Sequence, residues 1–126
     1  MAADTSLTEA LRAFAAAEQR IVDHDRLGDA GNAAELVRLR RDLVMAFAQV
    51  AAALESDPGL RARPDRQAQA TRLLSAFRTQ NAVNQADWPA IRIPQDRDAY
   101  HESVARVQAR SRAFWDWVSE ELGVRP

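Results

Sequence analysis

Residues 34–54 read AELVRLRRDLVMAFAQVAAAL. Leu36, Leu39, Leu43, Phe47, Val50 and Leu54 return every three or four positions. That is the spacing of one face of an α-helix, not the alternation of a half-buried strand. Val37 and Val44 are expected to widen the stripe. Asn32 with Glu35 three residues later has the pattern of a helix start. The run Glu55-Ser56-Asp57-Pro58-Gly59 is a stop, because turn residues are joined to a proline that cannot continue a helix. A helix with one long apolar face needs other apolar faces to cover it, and the rest of the chain offers them in the same 3.6-residue rhythm.

Upstream, Ser6 and Glu9 read as a reciprocal capping box. Leu7, Leu11, Phe14, Ile21 and Val22 then follow at helical spacing to an expected stop near Gly28. The link Gly28-Asp29-Ala30-Gly31 is so short that the first two helices should form an antiparallel hairpin. Downstream, the loop to Pro64 is longer, and Asp57-Pro58 could open a short helical turn inside it. A third helix is expected from about Asp65 to about Ala86, on Ala70, Leu73, Leu74, Phe77 and Val83. A fourth should open near Asp96 or Asp98 and run to Leu122, with Gly123 as its stop. Its stripe is Tyr100, Val104, Val107, Phe114, Val118 and Leu122. Helices of about 20–25 residues are about 30–38 Å long. Together they predict an all-α fold: an antiparallel up-and-down bundle of four helices in a single helical-bundle domain over residues 1–126. A three-helix bundle with a docked fourth helix is the alternative.

Between the third and fourth helices lies RTQNAVNQADWPAIRIP, residues 78–94. Gln80, Asn81, Asn84 and Gln85 crowd four carboxamides together. Asparagine competes for backbone hydrogen bonds and is a poor interior helix former, so these amides are expected on the solvent face or fraying the helix before Trp88-Pro89, or else along a groove that holds a partner. Pro89 disfavours helix at Trp88, so Trp88–Pro94 reads as an extended Trp-Pro segment. Trp88, Ile91 and Ile93 either fold back over the bundle or present a patch to another protein. At about 100° per residue, Trp115 lies about 55° and Trp117 about 105° from the centre of the last stripe. Trp115 should edge the core, and Trp117 should be roofed by the Ile91–Ile93 strap or serve as an anchor for a partner. The candidate partner-binding residues are Gln80, Val83, Asn84, Trp88, Ile91, Ile93 and Trp117.

Composition narrows the function classes. The chain of 126 residues carries a net charge of −1, so the whole molecule has no strong pull on nucleic acid or anionic lipid. All 17 basic residues are arginine, which removes lysine Schiff-base chemistry and fits translation from a GC-rich bacterial genome. There is no cysteine, so no disulfide or thiolate chemistry is available, which agrees with a cytoplasmic location. No apolar run approaches the roughly 18 residues of a membrane span, and the first ten residues lack the pattern of a secretory signal. His24 and His101 are flanked directly by Asp23, Asp25 and Glu102, not at the i,i+3 or i,i+4 spacing that shares a helix face. With no serine elbow, phosphate loop or Cys/His pair, neither an enzyme nor a cofactor is expected. Five arginines from Arg61 to Arg78 stand against only Asp57 and Asp65. That stretch supports an alternative reading as a nucleic-acid-binding regulator, which the long preceding loop and the overall charge disfavour. A self-associating structural bundle, including a homodimer, is the other alternative.

The first half has Glu18, Ile21 and Val22, then Gly28-Asp29, then Ala34-Glu35-Leu36 through Leu39 to Leu43; the second has Leu73-Leu74 followed by Asn81 and Asn84. Over roughly residues 7–86 this resembles the FlgN/FliT type of flagellar secretion chaperone. The Trp88–Pro94 break and the Phe114-Trp115-Asp116-Trp117 cluster depart from that pattern. The resemblance implies a small, non-enzymatic, cytoplasmic helical protein. It would hold an amphipathic helix of an export substrate in a groove between its own helices.

Overall fold

Asp4, not Ser6, opens the first helix: its carboxylate accepts the Leu7 amide at 2.9 Å. In the computed structural model, which describes residues 3–28 and 31–126, that helix is α1 (Thr5–Arg26). It is followed by α2 (Ala33–Ser56), the single turn α3 (Pro58–Arg61), α4 (Pro64–Asp87), a 3-10 turn (Ala90–Gln95) and α5 (Arg97–Leu122). The fold is all-α, with no strand among the described residues. Asn32 caps α2 through the Glu35 amide at 3.1 Å, and Asp96 caps α5 through the Ala99 amide at 3.1 Å. Gly123 ends α5 at φ +69, a left-handed conformation that glycine adopts without steric cost. In the α1–α2 link, Asp29 and Ala30 lie outside the described residues. His24 Nε2 donates to the Asn32 carbonyl at 2.9 Å. A Cβ on Gly31 would sit 2.9 Å from that imidazole, so a larger residue there would have to displace His24.

Side-chain bonds show how the long helices lie. The Asp4 amide, at the start of α1, donates to Asp57 at the end of α2 at 3.1 Å. Buried Asp57 also caps α3 through the Leu60 amide at 3.0 Å. Gln67, near the start of α4, donates to the Leu54 carbonyl at 3.0 Å. Asn84, near the end of α4, donates to Ser103 near the start of α5 at 2.8 Å. Arg66 is paired with Glu121 at the other end of that helix pair. Backbones approach closely between α1 and α2, α4 and α5, and α2 and α4, whereas α1 and α5 are joined through side chains.

The core is built around one phenylalanine from each long helix. Phe14 lies 4.7 Å from Phe47, 5.5 Å from Phe77 and 6.0 Å from Phe114, centroid to centroid. All four rings are fully buried, in the tilted and edge-on arrangements that aromatic quadrupoles favour. Leu7, Leu11, Leu43, Val50, Leu54, Leu74, Val118 and Leu122 extend this core along the bundle. Val37 and Val44 do not widen it. They are 50% and 44% exposed, because the partners of α2 meet only the Leu36–Leu54 stripe and leave its outer face to solvent.

The Trp88–Pro94 segment is not extended. Ala90–Gln95 forms a 3-10 turn, with the Arg92 amide bonded to the Pro89 carbonyl at 2.8 Å. A strand would place Ile91 and Ile93 on one side. In a 3-10 turn residues three apart eclipse, so Ala90 and Ile93 share the inner side and Ile91 points away, 79% exposed. Ile93 and Trp88 pack with Leu36 and Tyr100 as a second apolar cluster. Arg92 lies 4.3 Å over the Trp88 ring and donates to the Asp87 carbonyl, one of those left open at the end of α4. Phe14 touches rings on all three other long helices, so Phe14→Ala should cost about 3–5 kcal/mol, the usual range for a buried phenylalanine. Urea unfolding should show this as a lower midpoint with an unchanged slope.

Candidate functional site

The amides singled out in the sequence point inward. Asn81 and Asn84 are buried, which corrects the expectation of a solvent face. They sit one turn apart on the face that carries Leu74 and Phe77, and Asn84 meets Ser103 of α5. Trp88 and Ile93 belong to the second apolar cluster. Gln80 is half-buried, while Val83 is 46% exposed on the opposite side of α4 and Ile91 is exposed beyond the 3-10 turn. Trp117 is far from that turn in the fold: it packs against the phenylalanine core, and its indole donates to Gln69 near the start of α4 at 3.1 Å. The Ile91–Ile93 segment therefore does not roof Trp117. The seven residues proposed from sequence do not form one surface; three are core, and the exposed ones point different ways.

The structure gathers polar groups instead along the seam where α1 faces α5. Glu18 accepts the Ser111 hydroxyl at 2.5 Å and the Trp115 indole N–H at 3.0 Å, so both its oxygens are engaged. Two turns along α1, Asp25 accepts the Tyr100 hydroxyl at 2.9 Å. Burial raises the Glu18 carboxyl above its ordinary value near 4.5, and the bonds from Ser111 and Trp115 oppose the rise. Asp25 is raised for the same reason, against the Tyr100 bond and the Arg40 charge. The Tyr100 hydroxyl is pushed up by burial and by the Asp25 charge. Arg40 is buried and donates to the Trp88 carbonyl at 2.6 Å, tying α2 to the segment after α4.

Beneath the seam a cavity of about 50 Å³ is lined by Glu18, Asp25, Arg40, Asn81, Asn84 and Tyr100, among others. Buried Arg40 Nη2 and Gln85 Nε2 have no protein acceptor. A cavity of this size has room for water, and the polar groups on one side of it could bind one. Above the seam an open groove of about 830 Å³ runs along the solvent side of α1 and α5. Ala15, Ala16, Val22 and Trp115 give it an apolar lining, and Arg12, Arg112, Asp116 and Arg125 supply charge. Trp115 stacks on Phe14 at 5.8 Å and 22° while Phe114 meets the same ring edge-on. Phe114 and Trp115 thus both face Phe14 of α1, and the groove lies on the solvent side of that contact.

Other arrangements are less organised. Among the described residues, no three His, Asp or Glu side chains are placed to hold a metal ion. Of the basic stretch, Arg66 is paired with Glu121, and Arg72 and Arg78 are about 120° apart around α4. No helix of the described residues is long and apolar enough to cross a membrane. Comparison with protein-family models, curated proteins and solved structures finds no match.

Sequence reasoning missed Glu18 and Asp25 as site residues. The available signal was their position: each lies one turn from an apolar stripe residue, Phe14 and Ile21. Glu18→Gln tests the electrostatics. The amide can accept from Trp115 and donate to Ser111 while carrying no charge. A carboxyl raised in the folded state favours folding below its unfolded value near 4.5, and loses that advantage as pH rises through the raised folded value. Urea midpoints of the native protein relative to Glu18→Gln should therefore fall from pH 4 towards neutrality. A pH-independent difference would show that Glu18 titrates normally.

Proposed function

We propose that the protein is a non-enzymatic helical adaptor that holds an amphipathic helix of another protein in the α1–α5 groove. The observation that carries this reading is the open seam: apolar Ala15, Ala16, Val22 and Trp115 line a groove of about 830 Å³ that none of the described elements fills. Small side chains let a partner helix approach closely, and apolar contact with a polar rim is how grooves of this kind recognise helices. We read the four long helices as an antiparallel up-and-down bundle, in which a partner helix would lie across the α1–α5 seam. The resemblance to FlgN/FliT-type secretion chaperones agrees in kind, and on that reading the partner is a flagellar export substrate held in the bacterial cytoplasm.

A photo-crosslinking side chain at Ala16, in the groove, should capture one protein through a helical segment. The same group at Ala82, on the exposed face of α4, should not. Equal capture at both positions, or none at Ala16, would overturn the reading.

A second reading, self-association, has its own observation. The outer face of α2 is uncovered, with Val37, Val44 and Met45 exposed beside exposed Ala34, Ala48 and Ala52. Sedimentation over a range of concentrations decides it. A dimer that Val37→Asp with Val44→Asp dissociates supports it, and a monomer throughout removes it.

A further inference from the structure

We infer that the helix accepted by the α1–α5 groove is acidic, its carboxylates meeting an arginine rim; this rests on the groove being a helix-binding site. Arg12 on α1, Arg112 on α5 and Arg125 beyond it all line the groove and are exposed. Among the described residues none of the three has a carboxylate within ion-pairing distance. Arg26 continues the same side of α1 towards His101 and Gln108, though it is loosely paired with Asp23 at 3.9 Å. From Arg12 to Arg26 the wall extends about 21 Å, or about four helical turns.

The opposing charges are few and mostly engaged. Glu18 lies in the groove floor, but both its oxygens already accept protein donors. Asp25 is bound to Tyr100 at the other end of the seam. Among the described residues, Asp116 is the one exposed side-chain carboxylate that lines the groove. A chain of net charge −1 thus presents a cationic edge where its apolar groove opens. A basic helix laid there would place like charges across the rim and leave Glu18 unable to compensate them, whereas an acidic one meets planar guanidinium groups suited to carboxylates.

The test uses the full chain and three synthetic amphipathic helices of about 14–20 residues. They share one apolar face and carry glutamate, lysine or glutamine on the polar face. A single-stranded RNA serves as a polyanion without an apolar face. Binding is read by fluorescence anisotropy at about 50 and 200 mM salt. The glutamate helix should bind at least tenfold more tightly than the lysine helix, with the advantage shrinking at higher salt. Arg12→Gln with Arg112→Gln should weaken it at least fivefold, while Arg72→Gln with Arg78→Gln on α4 should leave it unchanged; circular dichroism confirms that both variants fold. If the lysine or glutamine helix binds as well as the glutamate helix, the charge inference falls and the helix-binding reading stands. If no helix binds, both fall. If RNA binds more tightly than any helix and loses affinity in the Arg12/Arg112 variant, the rim serves polynucleotides and the inference is overturned.

Discussion

Four phenylalanines, one from each long helix, meet at one level of the bundle, and the rest of the structure is arranged around them. Phe14 and Phe77 each touch the other three rings. Interiors are close-packed, and rings of this size tolerate little sliding, so the contact fixes how far each helix is advanced relative to its neighbours. The bonds at the bundle ends agree with that register. Asp57 holds the start of α1, His24 holds the start of α2, and Arg66 meets Glu121 across α4 and α5. A layer of leucines alone would permit more than one advance.

The same layer explains the asymmetry of the bundle. α5 aims Phe114 and Trp115 at Phe14, whereas each of the other helices aims a single ring. The extra ring lies against Phe14, and hydrogen bonds to Glu18 and Asp25 join α5 to α1 beside it. Buried carboxylates usually cost stability unless their oxygens are satisfied. Here Ser111 and Trp115 satisfy Glu18, and Tyr100 satisfies Asp25. The seam is therefore apolar at the phenylalanine layer, polar just outside it, and open at the surface. That gradation gives the groove between α1 and α5 an apolar lining and a charged edge.

The segment after α4 shows how a short motif can mislead on the geometry of its side chains while being right about where a helix ends. Pro89 does end α4 at Asp87. Yet Ile91-Arg92-Ile93, which alternates like a strand in sequence, winds into a 3-10 turn and sends its two isoleucines to opposite sides. The change from a two-residue to a three-residue period separates a buried Ile93 from an exposed Ile91. Trp88 and Ile93 then cap the Leu36–Tyr100 end of the bundle, and Trp117 is left to pack beside Gln69 at the opposite end.

The chain by itself determined the helices. The Leu36–Leu54 stripe, the Asn32 and Asp96 caps and the Gly123 stop are local signals, and local signals survive folding because hydrogen bonds within a helix join residues four apart. It placed Trp115 only at the edge of the core, whereas the structure buries that ring, 6% exposed, against Phe14. The first cap was misplaced by two residues because Ser6 and Asp4 both satisfy the same local chemistry. What only the tertiary structure decided was which polar residues meet. Glu18 and Trp115 are 97 positions apart, and Asp25 and Tyr100 are 75 apart. No local pattern pairs them; the packing of α5 against α1, helices far apart in the chain, does.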